Sequence, residues 1–229
     1  MATLSPRSFI FVTGGAGGIG SAVCRLLPSI GITPIIGFNN NAIHAKQLAE
    51  ELNGFAVKID LTRSSSIDAA IKSILNEVEL NDVLVGVVLG ASPPPELEPI
   101  RDIAPDHLSH QFKVNVIGSQ LLLQGLMKNF FRKKKSGTVI GILTKAIGND
   151  DEGSATGMGA YVVSKIAFKS LLSVWSAEYP WLKVKTVSPG FTKTQMLNVF
   201  DPRYLELIEM KNRIFTPDEV AKSIVGKIK

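Results

Sequence analysis

Thr13-Gly14-Gly15-Ala16-Gly17-Gly18-Ile19-Gly20 follows the apolar run Ser8–Thr13 (SFIFVT) and opens Ile19–Leu27, whose apolar residues recur at helical spacing. Glycines let a backbone turn tightly and approach a pyrophosphate. The helix behind them presents free N–H groups and a partial positive charge. The competing reading is a plain flexible turn. The place of the loop, between a strand and a helix, favours phosphate binding.

The same alternation continues outward from this loop. Further strands are expected at Thr33–Phe38, Gly54–Ile59, Asp82–Leu89, Thr138–Leu143 and Leu182–Val187. Helices are expected at Asn41–Asn53, at Ser64–Leu80 behind a run of serines suited to N-capping, at Asp106–Phe131 with interruptions at Gly118 and Gly125, and at Gly159–Glu178. The tail from Thr192 is expected to be mostly helical, with Thr216-Pro217-Asp218-Glu219 as a helix start. Short apolar strands separated by helices predict a doubly wound parallel α/β sheet of about six strands, covered on both faces. Pro93-Pro94-Pro95 is a short loop, and residues 1–229 read as one domain without repeat or linker.

Composition narrows the classes. The formal net charge is +5, yet the basic residues are scattered and there are only three Tyr and two Trp, so no nucleic-acid surface is expected. The lone Cys24 excludes an internal disulfide and a cysteine-based metal site, and reads as a buried inert thiol; no metal is expected. No apolar stretch reaches the roughly 18 residues of a membrane span, and the N-terminus lacks a signal-peptide pattern. A cytoplasmic protein is the expectation.

Tyr161-Val-Val-Ser-Lys165 supplies candidate chemistry. The i, i+4 spacing puts both side chains on one helix face. A neighbouring ammonium is expected to lower the phenol pKa toward the range useful for proton transfer.

Glycine loop and Tyr/Lys pair, in this order on these elements, resemble the short-chain dehydrogenase/reductase family over nearly the whole chain, and in general pattern the 3-oxoacyl-(acyl-carrier-protein) reductases. The resemblance implies an NAD(P)-binding Rossmann-like domain. It implies cofactor contacts from Gly14, Gly15, Ala16, Gly17, Gly18, Ile19 and Gly20, from Asp60 and Leu61 at the adenine, from Gly90, Ala91 and Lys165, and from Pro189, Gly190, Thr192 and Thr194 at the nicotinamide. It implies catalytic roles for Tyr161, Lys165 and Asn115, the last in a proton relay.

Three departures stand out. Where the family carries a serine after the fifth strand, this chain has Thr144, with Ser154 in the following loop as a fallback. The family's Asn-Asn-Ala-Gly segment is Leu89-Gly90-Ala91-Ser92, without the amides that tie the central strands together. The usual seventh strand is not expected in the tail, which argues against a tetramer contact; helices 106–131 and 159–178 remain available for a homodimer.

The second strand ends in Asn39-Asn40-Asn41, with no carboxylate to repel a 2′-phosphate, which favours NADP over NAD. No Arg or Lys stands in that loop. Arg132-Lys133-Lys134-Lys135 reads either as a dipole-matched helix end or as a dock for an acidic carrier. Met196, Leu197, Val199, Phe200, Tyr204, Leu205 and Leu207 suit an apolar acyl or alicyclic substrate, or plain helix packing. The expected function is NADP(H)-dependent interconversion of a ketone, free or carrier-bound, and a secondary alcohol, with Tyr161 as acid/base. The rivals are a non-catalytic NADP-binding regulator or scaffold on the same fold, and an epimerase or dehydratase with tightly held cofactor.

Overall fold

Successive side chains of a strand point to opposite faces, so a run such as Phe9-Ile10-Phe11-Val12 is wholly apolar only where both faces are covered. All four are buried. The computed structural model describes residues 6–78, 81–149, 151–211 and 213–228, so the expected end of the third helix at 79–80 lies outside it. Its strands are β1 (Ser8–Thr13), β2 (Ile32–Phe38), β3 (Phe55–Lys58), β4 (Val83–Leu89), β5 (Gly137–Ile142) and β6 (Leu182–Val187). They form one parallel sheet in the order β3-β2-β1-β4-β5-β6.

The helices are α1 (Gly18–Leu26), α2 (Ala42–Glu51), α3 (Ser64–Glu77), α4 (Pro105–Phe112), α5 (Ser119–Leu126), α6 (Arg132–Lys134), α7 (Gly159–Glu178), α8 (Pro202–Lys211) and α9 (Pro217–Val225). One core lies between the sheet and α3, α5 and α7, built on Phe9, Phe11, Ile71, Leu122 and Phe168. The other lies against α1, α2 and α9, built on Ile10, Val12, Val23, Leu48 and Ile224. Strand order reverses between β1 and β4, so the two chains leaving those strands part and open a crevice at their carboxyl ends.

The expected break of the long helix at Gly118 and Gly125 does not occur. α4, α5 and α6 run on through two π-helical segments, Lys113–Gly118 and Met127–Phe131. The glycines are there for close approach: a Cβ at Gly118 would enter the Leu61 carbonyl, and one at Gly125 would enter Ile71. The serine run does not cap α3 either. Its N-cap is Arg63, without a side-chain cap bond, and the Ser66 hydroxyl instead accepts the Asp60 amide at 2.9 Å. The capping box of Thr216 and Glu219 forms as the sequence reads. Among the described residues the sheet has no seventh strand; the tail contributes only an isolated bridge between Thr192 and Phe215. No described helix is long and apolar enough to cross a membrane.

Candidate active site

The glycine loop is packed backbone on backbone. Gly14 has φ +67°, and a Cβ there would stand 3.0 Å from the Ala91 Cα. A Cβ at Gly20 would enter the Gly14 carbonyl. The Gly15 amide donates to the Val12 and Gly37 carbonyls at 3.1 and 2.8 Å. Gly17, the N-cap of α1, offers no side-chain cap, and Gly17 and Gly18 are exposed, so the first amides of the helix are open to a ligand. These features fit a dinucleotide pyrophosphate.

Asn39 and Asn40 are exposed beyond β2. Asp60 accepts the Thr62 hydroxyl and amide at 2.7 and 2.9 Å, and those bonds, the hydroxyl first, hold its carboxyl below the usual range. The Leu61 side chain is buried in the α3-side core, so a nucleotide contact from it is left to its backbone.

Gly90 and Ala91 lie at the reversal point. The loss of the family's asparagines leaves no gap in the hydrogen bonding here. Thr13, fully buried, accepts the Gly90 and Ala91 amides at 3.0 and 3.2 Å and donates to the Val88 carbonyl at 3.4 Å. β1 and β4 are therefore tied by a hydroxyl instead of by amides.

A cleft of about 450 Å³ gathers Ile19, Gly90, Thr144, Tyr161, Lys165, Pro189, Gly190, Thr192 and Thr194. Gly14–Gly18, Gly20, Asn39, Asn40, Asp60, Leu61, Ala91 and Asn115 do not line it. The first turn of α7 delivers Tyr161, hydrogen-bonded to the Thr144 side chain. The Thr144 hydroxyl also accepts the Ala146 amide at 3.1 Å. Ser154 is excluded as the fallback hydroxyl: it is exposed, donates to the Ile147 carbonyl at 3.0 Å and does not line the cleft.

Lys165 is 3% exposed and donates to the Ile142 carbonyl at 3.0 Å. Its Nζ lies 5.7 Å from the Tyr161 ring centroid. The expected lowering of the phenol pKa by this ammonium is absent in the protein alone. Burial pushes Tyr161 up to about 12 against the opposing Thr144 bond, and pushes Lys165 down to about 7. The packing that brings the two together also strips their water, and each neutral form gains. Cys24, buried in α1, is pushed up to about 12 by the same cause, as an inert thiol should be.

Asn115 sits in the first π segment, 1% exposed. Its amide nitrogen donates to Gln111 Oε1 at 3.0 Å and to Ser164 Oγ at 2.9 Å, and Ser164 donates to the Tyr161 carbonyl at 2.7 Å. Gln111 Nε2 in turn donates to the Pro94 carbonyl at 2.8 Å and to Glu96 at 3.3 Å. Asn115 Oδ1 is buried without a partner among the described residues. The network joins the Tyr161 helix to the loop after β4.

Thr194 caps the turn Gln195–Val199 through the Met196 amide, and a Cβ at Gly18 would meet its methyl at 2.5 Å. Met196, Leu197, Phe200 and Tyr204 line the cleft, while Val199 and Leu207 are exposed and Leu205 packs behind Phe200. Phe191 stacks edge-on to Phe200 at 5.5 Å. Phe191, Lys145, Arg213 and Phe215 were not foreseen. The Phe215 amide donates to the Phe191 carbonyl at 2.8 Å and the Lys145 amide to the Pro189 carbonyl at 2.8 Å, long-range pairings with no local sequence signal.

The basic run 132–135 ends the long helix at the start of β5, with Lys135 left-handed at φ +45°. Thr144 follows the opposite end of β5. The run therefore lies at the far end of the sheet from the cleft, and a carrier docked on it would not face Tyr161.

Reversed strand order, glycine loop, and a Tyr/Lys/Thr cluster in the adjoining cleft define a dinucleotide-binding oxidoreductase of Rossmann type. A model of the short chain dehydrogenase family matches residues 8–204, and the chain belongs to that family. An NADPH-dependent aldehyde reductase-like chloroplastic protein of Arabidopsis thaliana is 26% identical over 213 residues, spanning 86% of this chain and 76% of the relative. A 3-oxoacyl-(acyl-carrier-protein) reductase of Vibrio harveyi is 28% identical over 223 residues, spanning 93% and 86%. The crystal structure of a 3-ketoacyl-(acyl-carrier-protein) reductase from Brucella melitensis complexed with NADH superposes with a TM-score of 0.84 at 19% identity, covering 99% of this chain and 92% of that one. The protein is a dehydrogenase/reductase of this family.

Proposed function

We propose that residues 1–229 act as one NAD(P)-binding domain that uses NADP(H) to reduce a ketone, 3-oxoacyl or similarly apolar, to a secondary alcohol, or runs the reverse. The observation that carries this is the convergence of Tyr161, Thr144 and Lys165 in one cleft beside the glycine loop. When bound, the nicotinamide supplies or accepts the hydride, and the cofactor's phosphates favour the ammonium form of Lys165. The substrate oxygen lies between the Thr144 and Tyr161 hydroxyls. As the carbonyl carbon gains hydride, its oxygen becomes an alkoxide and takes the Tyr161 proton. Lys165, its ammonium form favoured by those phosphates, is a proton reservoir beside the resulting phenolate. Asn115 holds the helix at the height this requires and offers Oδ1 to a water of the relay.

Preference for NADP rests on the carboxylate-free end of β2. The apolar substrate rests on Leu197, Phe200, Tyr204 and Phe191. Lys145 and Arg213 flank Phe215 in the cleft lining, so an acidic carrier or thioester would meet them rather than the run 132–135. A homodimer is favoured by exposed Ile117 and Leu121 before and within α5, and by Val163, Ile166 and Val174 on α7.

The test follows NADPH and NADH consumption with β-ketoacyl thioesters and cyclic ketones. Tyr161→Phe is expected to lose about 10²–10⁴-fold in turnover while still binding the nucleotide. Unchanged turnover in that variant rejects the acid. Nucleotide binding with no turnover of any carbonyl by the native chain favours a regulator.

A further inference from the structure

The loop after β2 lacks the cation that a 2′-phosphate calls for, and the register of the edge strands provides one. β2 and β3 run parallel with Phe38 opposite Lys58, so Lys58 leaves the sheet level with the last residue of β2. Its Nζ lies 5.9 Å from the centroid of the Phe38 ring and donates to the Asn39 carbonyl at 2.6 Å. That bond takes one of three ammonium donors. Lys58 forms no ion pair among the described residues.

The surroundings suit an anion. Asn39, whose carbonyl meets this ammonium, and the following Asn40 and Asn41 are exposed. The ten-residue helix α2 begins there, with Asn41 as N-cap accepting the His44 amide. His44 Nδ1 stands 3.1 Å from the Ala16 carbonyl, a contact that pins the start of α2 to the glycine loop. The carboxylate two residues along, Asp60, is engaged by Thr62, lies 3.5 Å from Arg63 Nε and feels the Lys58 charge only as the weakest of its influences.

We propose that Lys58 supplies the charge that binds the 2′-phosphate of NADP(H), reaching it from β3 instead of from the β2–α2 loop. This rests on the NADP(H) reading above. A lysine is the fitting residue, because its flexible stem can lie along Phe38 and its point charge can turn from the Asn39 carbonyl to the phosphate.

Calorimetric titration with 2′,5′-ADP and with 5′-AMP tests this without turnover. The native chain is expected to bind 2′,5′-ADP about tenfold or more tighter than 5′-AMP. Lys58→Met should lose about tenfold on 2′,5′-ADP and little on 5′-AMP, and Lys58→Arg should keep the preference. Added salt should erode the preference in the native chain and not in Lys58→Met. A native preference that survives intact in Lys58→Met overturns the assignment of Lys58 and leaves NADP(H) standing. A native chain that does not distinguish the two ligands overturns both. Lys58 is exposed on an edge strand, and a melting curve of each variant verifies the fold.

Discussion

The two halves of the sheet build their parts of the site by different means. Around β1, β2 and β3 the candidate nucleotide site is mostly backbone: Gly14 pressed on Ala91, Gly20 on the Gly14 carbonyl, and uncapped amides at the start of α1. Around β4, β5 and β6 the candidate catalytic site is made of buried side chains that would rather be in water, Tyr161, Lys165 and Asn115. The first half asks little of most side chains and leaves no room for a Cβ at Gly14, Gly15 or Gly20. The second depends on a few polar atoms held against their own solvation, and stability is lost to hold them there.

The largest expected effect lies in the second half. Thr144→Val keeps shape but removes the hydroxyl at the phenol, and turnover should fall about 10²-fold or more, the range for losing one donor to the developing charge. Ser154→Ala is the matched control and should leave turnover within about twofold, since exposed Ser154 gives up a single bond to a loop carbonyl. Equal losses in both would break the comparison.

Lys165→Met separates function from stability. Its folded pKa of about 7 lies below the ordinary 10.5, so between those values the unfolded chain binds the extra proton and stability rises with pH. The penalty is full below pH 7 and fades toward pH 10. Lys165→Met should therefore abolish most turnover, yet unfold in urea at higher concentration than the native chain at pH 6, with the gap closing by pH 10. A gap that does not depend on pH would refute the buried-charge account.

The smallest effect belongs to the seam between the halves. Thr13→Val leaves the Gly90 and Ala91 amides without their acceptor and should cost about 1–3 kcal/mol in chemical unfolding. A cost near zero would mean that water replaces the hydroxyl.

The difference also explains what was legible in the sequence. β1, β6 and α7 fall where the residue pattern places them, because apolar runs, turn glycines and helical spacing are local. The pair Tyr161 and Lys165 is local too. Lys58 was not legible, since only strand register carries it to Asn39. Phe215 was not, since a tail pairing 24 residues beyond Phe191 brings it to the cleft, and Lys145 was not, since its amide bond to the Pro189 carbonyl crosses between elements. Gly118 and Gly125 looked like helix breakers because their partners, Leu61 and Ile71, stand on other elements. The altered pKa values are not legible for a related reason: spacing gives neighbourhood, and burial decides charge.

The methyl of Thr194 resting on Gly18 bears on timing. It lays the stretch from Pro189 to Phe200 across the mouth of the phosphate loop, held by the Thr192 bond to the Gly190 carbonyl, two amide bonds to Thr194 and two backbone links to Phe215. A nucleotide seated under this stretch would leave past those bonds. Because the same stretch lines the cleft through Pro189, Gly190, Thr192 and Thr194, loosening it would disturb nucleotide release and the reacting site together.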